Sequence, residues 1–283
     1  MATIREAIFS GSWYPASARE CEAQIQAFMT EGRLAGEGGD LVGGIVPHAG
    51  WFFSGSIACK VIHALSRSGS PDVVVVFGMH MHPGSTPCMY TAGQWETPFG
   101  NLKIATKMAG KLAGKFPFSV NRDADFSRDN TIELQCPFVK YFFDSTEFIP
   151  IGVPPTSFAL DLGEAVVETA DSLDLKLVVL GSTDLTHYGP HYGFLDKGTG
   201  PEALDWVRNE NDQKVIDAMA AMRPEEVIKQ GLANRNACCS GAAAAAISAG
   251  VKKGAQQGEC LTYATSADKS PGSSFVGYVG MVF

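Results

Sequence analysis

Four valines in succession, Val73 to Val76, run into Phe77. A continuous β-branched, apolar run offers no polar face to water, so it reads as a strand covered on both sides. Such a strand needs helices above and below its sheet, and the rest of the chain supplies them. Leu41–Val46, Phe148–Val153 and Leu175–Leu180 read as further strands, and Leu261–Ala264 and Phe275–Phe283 as closing ones. Between them a helix near Ser56–Leu65 carries Ile57, Val61, Ile62 and Leu65 on one face, and helices are expected over 158–173, 201–222 and 241–252. Ser17 and Glu20 form a capping box for a first helix that ends before a break at Gly36 to Gly39. The expectation is an α/β protein, a sandwich around a central, mostly parallel or mixed sheet.

Charge and cysteine content narrow the function classes. Lys and Arg number 22 against 30 Asp and Glu, a net charge of −8, which argues against a nucleic-acid partner. No apolar run approaches the roughly 20 residues of a membrane span, and Met1–Glu6 lacks the pattern of a secretory signal. Seven cysteines without a Cys-x-x-Cys pair indicate neither a disulfide framework nor a zinc ribbon. They are expected as thiols in a reducing cytoplasm. The sequence holds no Gly-x-Gly-x-x-Gly after a strand, no phosphate loop and no Gly-x-Ser-x-Gly elbow, so no nucleotide cofactor is expected.

Three strong strands run straight into polar residues. Leu41–Val46 leads to His48, Val73–Phe77 to His80 and His82, and Leu175–Leu180 to Ser182, Thr183, Asp184 and His187. Ligand crevices of open α/β sheets lie outside the carboxyl ends of the strands, so parallel neighbours would bring these histidines together. Asp184 and His187 resemble a pair for acid–base work, because histidine titrates near neutral pH. His80 and His82 leave two candidates for one ligand, and Cys238 and Cys239 leave two more. Two imidazoles with a thiolate suit iron, copper or zinc better than magnesium or calcium. Glu133, in a short helix, either faces the same crevice or is a solvated carboxylate.

Gly11-Ser12-Trp13-Tyr14-Pro15, Pro47-His48-Ala49-Gly50-Trp51, Trp95 to Gly100, Ser182 to Gly189 and the tail from Tyr263 to Phe283 resemble the Memo family, whose prokaryotic members are called AmmeMemoRadiSam system protein B. The similarity runs in order from about residue 8 to the C-terminus and implies one domain over residues 1–283. It implies a fold similar to class III extradiol (LigB-type) dioxygenases, which are non-haem iron enzymes. Carried over, the metal ligands are His48, His82 and Cys239, with Asp184 and His187 beside them as acid–base pair and Trp13 and Glu133 in the substrate pocket. His82 is chosen because His82-Pro83-Gly84 resembles the family's His-Thr-Gly after a one-residue insertion. Asn130 stands where the family has a histidine. The resemblance implies Fe(II) or copper and a redox role on a small molecule, or a binding protein that keeps the pocket for a peptide or other ligand. It also implies AMMECR1-like and radical-SAM proteins as partners.

Overall fold

The computed structural model describes residues 3–31, 40–120 and 128–283, so the expected break at Gly36 to Gly39 lies outside the described residues. Its strands are β1 (Ile4–Arg5), β2 (Gly43–Val46), β3 (Val73–Gly78), β4 (Cys88–Met89), β5 (Gln94–Trp95), β6 (Leu102–Lys103), β7 (Ser119–Val120), β8 (Glu147–Gly152), β9 (Leu177–Ser182), β10 (His187–Tyr188), β11 (Glu259–Thr265) and β12 (Phe275–Val282). β1, β5 and β6 form a small separate sheet. The others form the central sheet in the order β10-β12-β2-β9-β3-β8-β4-β7, with β11 also on β12. The middle of that sheet, β2-β9-β3-β8, is parallel, and β12 and β4 border it antiparallel. The sheet is therefore mixed and mostly parallel, as its valine-rich strands require.

The helices are α1 (Ala18–Thr30), α2 (Ser56–Arg67), α3 (Thr106–Ala113), α4 (Asn130–Glu133), α5 (Cys136–Phe142), α6 (Phe158–Asp171), α7 (Pro201–Trp206), α8 (Asp212–Ala220), α9 (Pro224–Asn234) and α10 (Ser240–Lys252). None is long and apolar enough to cross a membrane. Strand register assigns them to faces. Gly44 pairs with Leu180, and its missing side chain leaves room for Val61 of α2; the next pair, Ile45 and Gly181, faces the other way, towards Ala242 and Ala246 of α10. The Ala242–Ala246 run is thus a packing device, since its small residues let a helix buried from Ser240 to Gly250 lie close on the sheet. α1 begins as expected: Ser17 Oγ accepts the Glu20 N–H and donates to the Glu20 carboxylate, a cap worth about 1 kcal/mol.

One expected element differs. The single helix over 201–222 is interrupted by a π-helical turn over Val207–Asn211. A π turn adds one residue to the helical register. Asn211 and Asp212 follow it and are buried: Asn211 donates to Thr186 Oγ1, and Asp212 accepts from the Thr186 N–H and hydroxyl and from Tyr263 OH. The helix is spliced in this way to the segment that carries His187.

Candidate metal centre

The four parallel strands end at one edge, and His48, His80 and Asp184 all lie one or two residues beyond β2, β3 and β9. β12 runs the opposite way, so its N-terminal end and the loop before it close the same edge. Between them is a cavity of about 630 Å³, with His48, His80, Asn130, Asp184 and His187 in its lining and Trp13, Phe52, Phe53, Tyr192 and Tyr278 as aromatic walls.

His48 is wholly buried and held at every polar atom. Its N–H donates to Asp184 Oδ1 (2.7 Å), and its carbonyl accepts from Asn130 Nδ2 (3.0 Å). Its ring Nδ1 is 3.0 Å from Ser182 Oγ, and that hydroxyl gives its one proton to the Thr131 carbonyl at 2.6 Å. Ser182 can therefore only accept from the imidazole, so Nδ1 carries a proton. In the neutral ring the lone pair is then on Nε2, which faces Cys238 Sγ at 3.2 Å. Fixing a tautomer through the remote nitrogen is how proteins prepare a histidine ligand.

His48 Nε2, a ring nitrogen of His80 and the sulfurs of Cys238 and Cys239 all lie within 4.8 Å of one another. The rings of His48 and His80 meet edge to face, with centroids 5.0 Å apart. The choice of His82 is thereby reversed. His82 is exposed, its Nδ1 accepts the Gly84 N–H, and its backbone closes a turn with Ser85. Alternation would have sent both histidines the same way, but the chain is not extended here. Met79 takes a left-handed φ of 66° with its N–H on Thr131 Oγ1 (2.6 Å), turning the chain before His80.

Both cysteines join the group, and Cys238 makes the closer contact with His48. Cys238 Sγ accepts the Asp184 N–H (3.3 Å), while the Cys239 thiol faces Cys238 Sγ (3.8 Å) and the Met79 carbonyl (3.5 Å). Burial opposes charge on Cys238, but the Cys239 thiol, the charge and hydrogen bond of His48, and His80 outweigh it, so its pKa is held well below the usual thiol value. The Cys239 pKa is pushed up, first by its bond to Cys238 and then by burial. Burial also opposes charge on His48, yet the Asp184 carboxylate and Cys238 raise it to about 9. The two shifts act together and favour a thiolate on Cys238 paired with an imidazolium on His48.

Asp184 stands between His48 and His187, with Oδ2 3.9 Å from His48 Nε2 and 3.8 Å from His187 Nε2. His187 is one-third exposed, and its ring lies against Tyr192. Burial lowers its pKa, but the Asp184 carboxylate and Cys238 raise it more, and the net shift is upward. Asp184 and His187, paired in the sequence reading, thus lie together in the cavity lining beside the group that could hold a metal. Trp13 is at the cavity mouth.

Glu133 does not line the pocket and is not solvated either. It is fully buried, 2.6 Å from Arg5 Nη1, and it accepts the Phe9 N–H (2.7 Å) and Tyr14 OH (3.2 Å). It ties the N-terminal segment carrying Trp13 to the body of the protein. Sequence reasoning also passed over Ser182, Thr131 and Asn130, which orient His48. Ser182 follows a recognised strand and Asn130 stands where the resemblance places a histidine, and both are usable signals; Thr131 carries none.

The comparisons with known proteins give the family and the fold. The family model described as Memo-like protein matches residues 5–282. The chain is similar to a MEMO1 family protein of Methanopyrus kandleri, 34% identical over 99% of this chain and 98% of that protein. A MEMO1 family protein of Pyrococcus furiosus is 30% identical, with the same coverage of each chain. Among solved structures, an uncharacterized protein from Escherichia coli K12 has the same fold, with a TM-score of 0.55 at 9% identity over 86% of this chain and 99% of that one. By its sequence over nearly its whole length, this chain belongs to the Memo-like protein family.

Proposed function

We propose that the chain is a metal-dependent oxidoreductase acting on a small aromatic molecule, with the metal held by His48, His80, Cys238 and Cys239. The observation that carries this is the hydrogen-bond chain from Thr131 through Ser182 to His48, which leaves Nε2 as the donor aimed at Cys238. The donor set fits a metal: neutral imidazoles and cysteine sulfurs are the ligands of copper, zinc and iron sites. Two sulfurs in place of one shift the preference from Fe(II) towards copper, because thiolate is soft. Bound there, the metal would supply electron transfer.

The chain's own residues would do the rest. A metal held by this group would need the Nε2 of His48 unprotonated and the cysteines as thiolates, so loading should release protons. Asp184 accepts the His48 N–H and its carboxylate favours the protonated form of His187, which is placed to give or take a substrate proton at Nε2. The aromatic walls would orient a flat substrate and exclude water from it. Metal content is the test: protein purified without a metal-affinity tag should carry one ion per chain. His48→Ala and Cys238→Ser should abolish that ion and any oxygen consumption with catechol probes.

A second reading is a ligand-binding protein without catalysis. It is favoured by a cleft of about 640 Å³ that shares Ser12, Trp13 and Phe52 with the cavity and would extend it for a longer, peptide-like ligand. Protein free of metal and unable to take it up would favour this reading.

A further inference from the structure

The residues flanking His80 are both methionines, and strand register brings their sulfurs to a third. Gly152, the last residue of β8, pairs with Gly78 of β3 on one side and Cys88 of β4 on the other. Cys88 therefore sits beside Gly152, and Met79 follows directly on Gly78. The Cys88 thiol is 3.0 Å from Met79 Sδ. A Cβ on Gly152 would stand 2.6 Å from Cys88 Sγ, 2.7 Å from Met79 Sδ and 3.1 Å from Met81 Sδ. Three sulfurs thus converge over the backbone of Gly152 at the strand ends, and the absence of a side chain there is what lets them come together. Met79 reaches this point from a left-handed backbone, a conformation that costs on the order of 1–3 kcal/mol and clusters at functional sites.

We propose that Met79, Met81 and Cys88 form a second metal site, selective for Cu(I). Two thioethers and a thiol are soft donors, which select Cu(I) among biological ions. Zinc prefers thiolate, imidazole and carboxylate, and magnesium and calcium prefer oxygen. Sulfur bonds to a d10 ion are about 2.3 Å long, so an ion among the three requires the 3.0 Å contact between Cys88 and Met79 to open. The site shares no ligand with the His/Cys group, although the Met79 carbonyl accepts the Cys239 thiol. It stands or falls independently of the function proposed above.

The test is an anaerobic Cu(I) titration of fully reduced, metal-free protein against a chromogenic Cu(I) chelator. Cys260, the exposed thiol, is first changed to serine in every protein used. This background should bind two equivalents, and Met79→Leu/Met81→Leu should bind one. A His48→Ala/Cys238→Ser/Cys239→Ser variant should keep one, with a sulfur-only shell by X-ray absorption. Met81→Leu, at a half-buried position, should weaken one equivalent at least tenfold with unchanged circular dichroism, and it carries the test should the double variant not fold. Unchanged affinity in Met81→Leu, or no Cu(I) bound by the triple variant, would overturn the proposal. One equivalent in the background, retained by the triple variant and sulfur-only, would support this site while removing the His/Cys centre.

Discussion

Cys238 Sγ lies 3.2 Å from Nε2 of His48, although 190 residues separate the two in the chain. This contact joins the end of β2 to the start of α10 across the edge of the sheet, and it favours opposite charges on the two groups. Its consequences can be measured.

The pair should be visible as a thiolate. Absorbance near 240 nm at pH 7 should exceed that of Cys238→Ser by one thiolate per chain. His48→Gln should shift that thiolate's titration upward, because His48 is among the groups that hold the Cys238 pKa down. No thiolate signal at pH 7 would refute the assignment.

The same pair sets a pH dependence of stability. His48 is raised from 6.5 to about 9 on folding, so its contribution is complete below pH 6.5 and is lost as pH rises through 9. One pKa unit corresponds to about 1.4 kcal/mol, so the loss is on the order of 3 kcal/mol. The lowered Cys238 pKa acts in the opposite sense, contributing stability that grows as pH rises towards the ordinary thiol value of 9.0, so the two terms offset each other in the wild type. Urea unfolding of metal-free protein with reductant should show the fall of the His48 term more steeply in Cys238→Ser, where Asp184 still raises His48.

Ser182→Ala removes the acceptor that keeps the proton on Nδ1. Metal affinity should fall 10- to 100-fold, as when an outer partner of a ligating histidine is removed. Loss of the buried bond to Thr131 should cost about 1–3 kcal/mol. Metal titration and nitrogen NMR of the imidazole would check both, and an unchanged tautomer with unchanged affinity would contradict the argument.

The two histidines after β3 should separate cleanly. His80→Ala should weaken metal binding at least tenfold, whereas His82→Ala, in an exposed turn, should leave it within twofold. Equal effects in a competition assay would return His82 to consideration.

Glu133→Ala should destabilise the fold by about 3–5 kcal/mol, because it leaves the Arg5 charge buried without this partner. Glu133→Gln should cost less and leave metal affinity unchanged. A selective loss of metal binding in the glutamine variant, without loss of stability, would return Glu133 to the site.

The layered fold was legible in the sequence because buried strands and amphipathic helices carry their own periodicity. The valine run at Val73–Val76, the apolar stripe of α2 and the Ser17 cap all specify local structure by themselves. The meeting of His48, Asp184 and His187 at one edge followed from parallel strands that each end in a polar residue. Finer choices were tertiary. His80 replaced His82 because a left-handed Met79 and a turn at Ser85 broke the alternation. Cys238 joined Cys239 because both sulfurs, at the entry to α10, reach the same histidine pair. Glu133 turned away because Arg5, 128 residues distant, offered a buried charge partner. Period and capping are properties of neighbours in the chain, and sequence determines them. Which atom fills a given point in space depends on contacts between segments far apart, and only packing decides it.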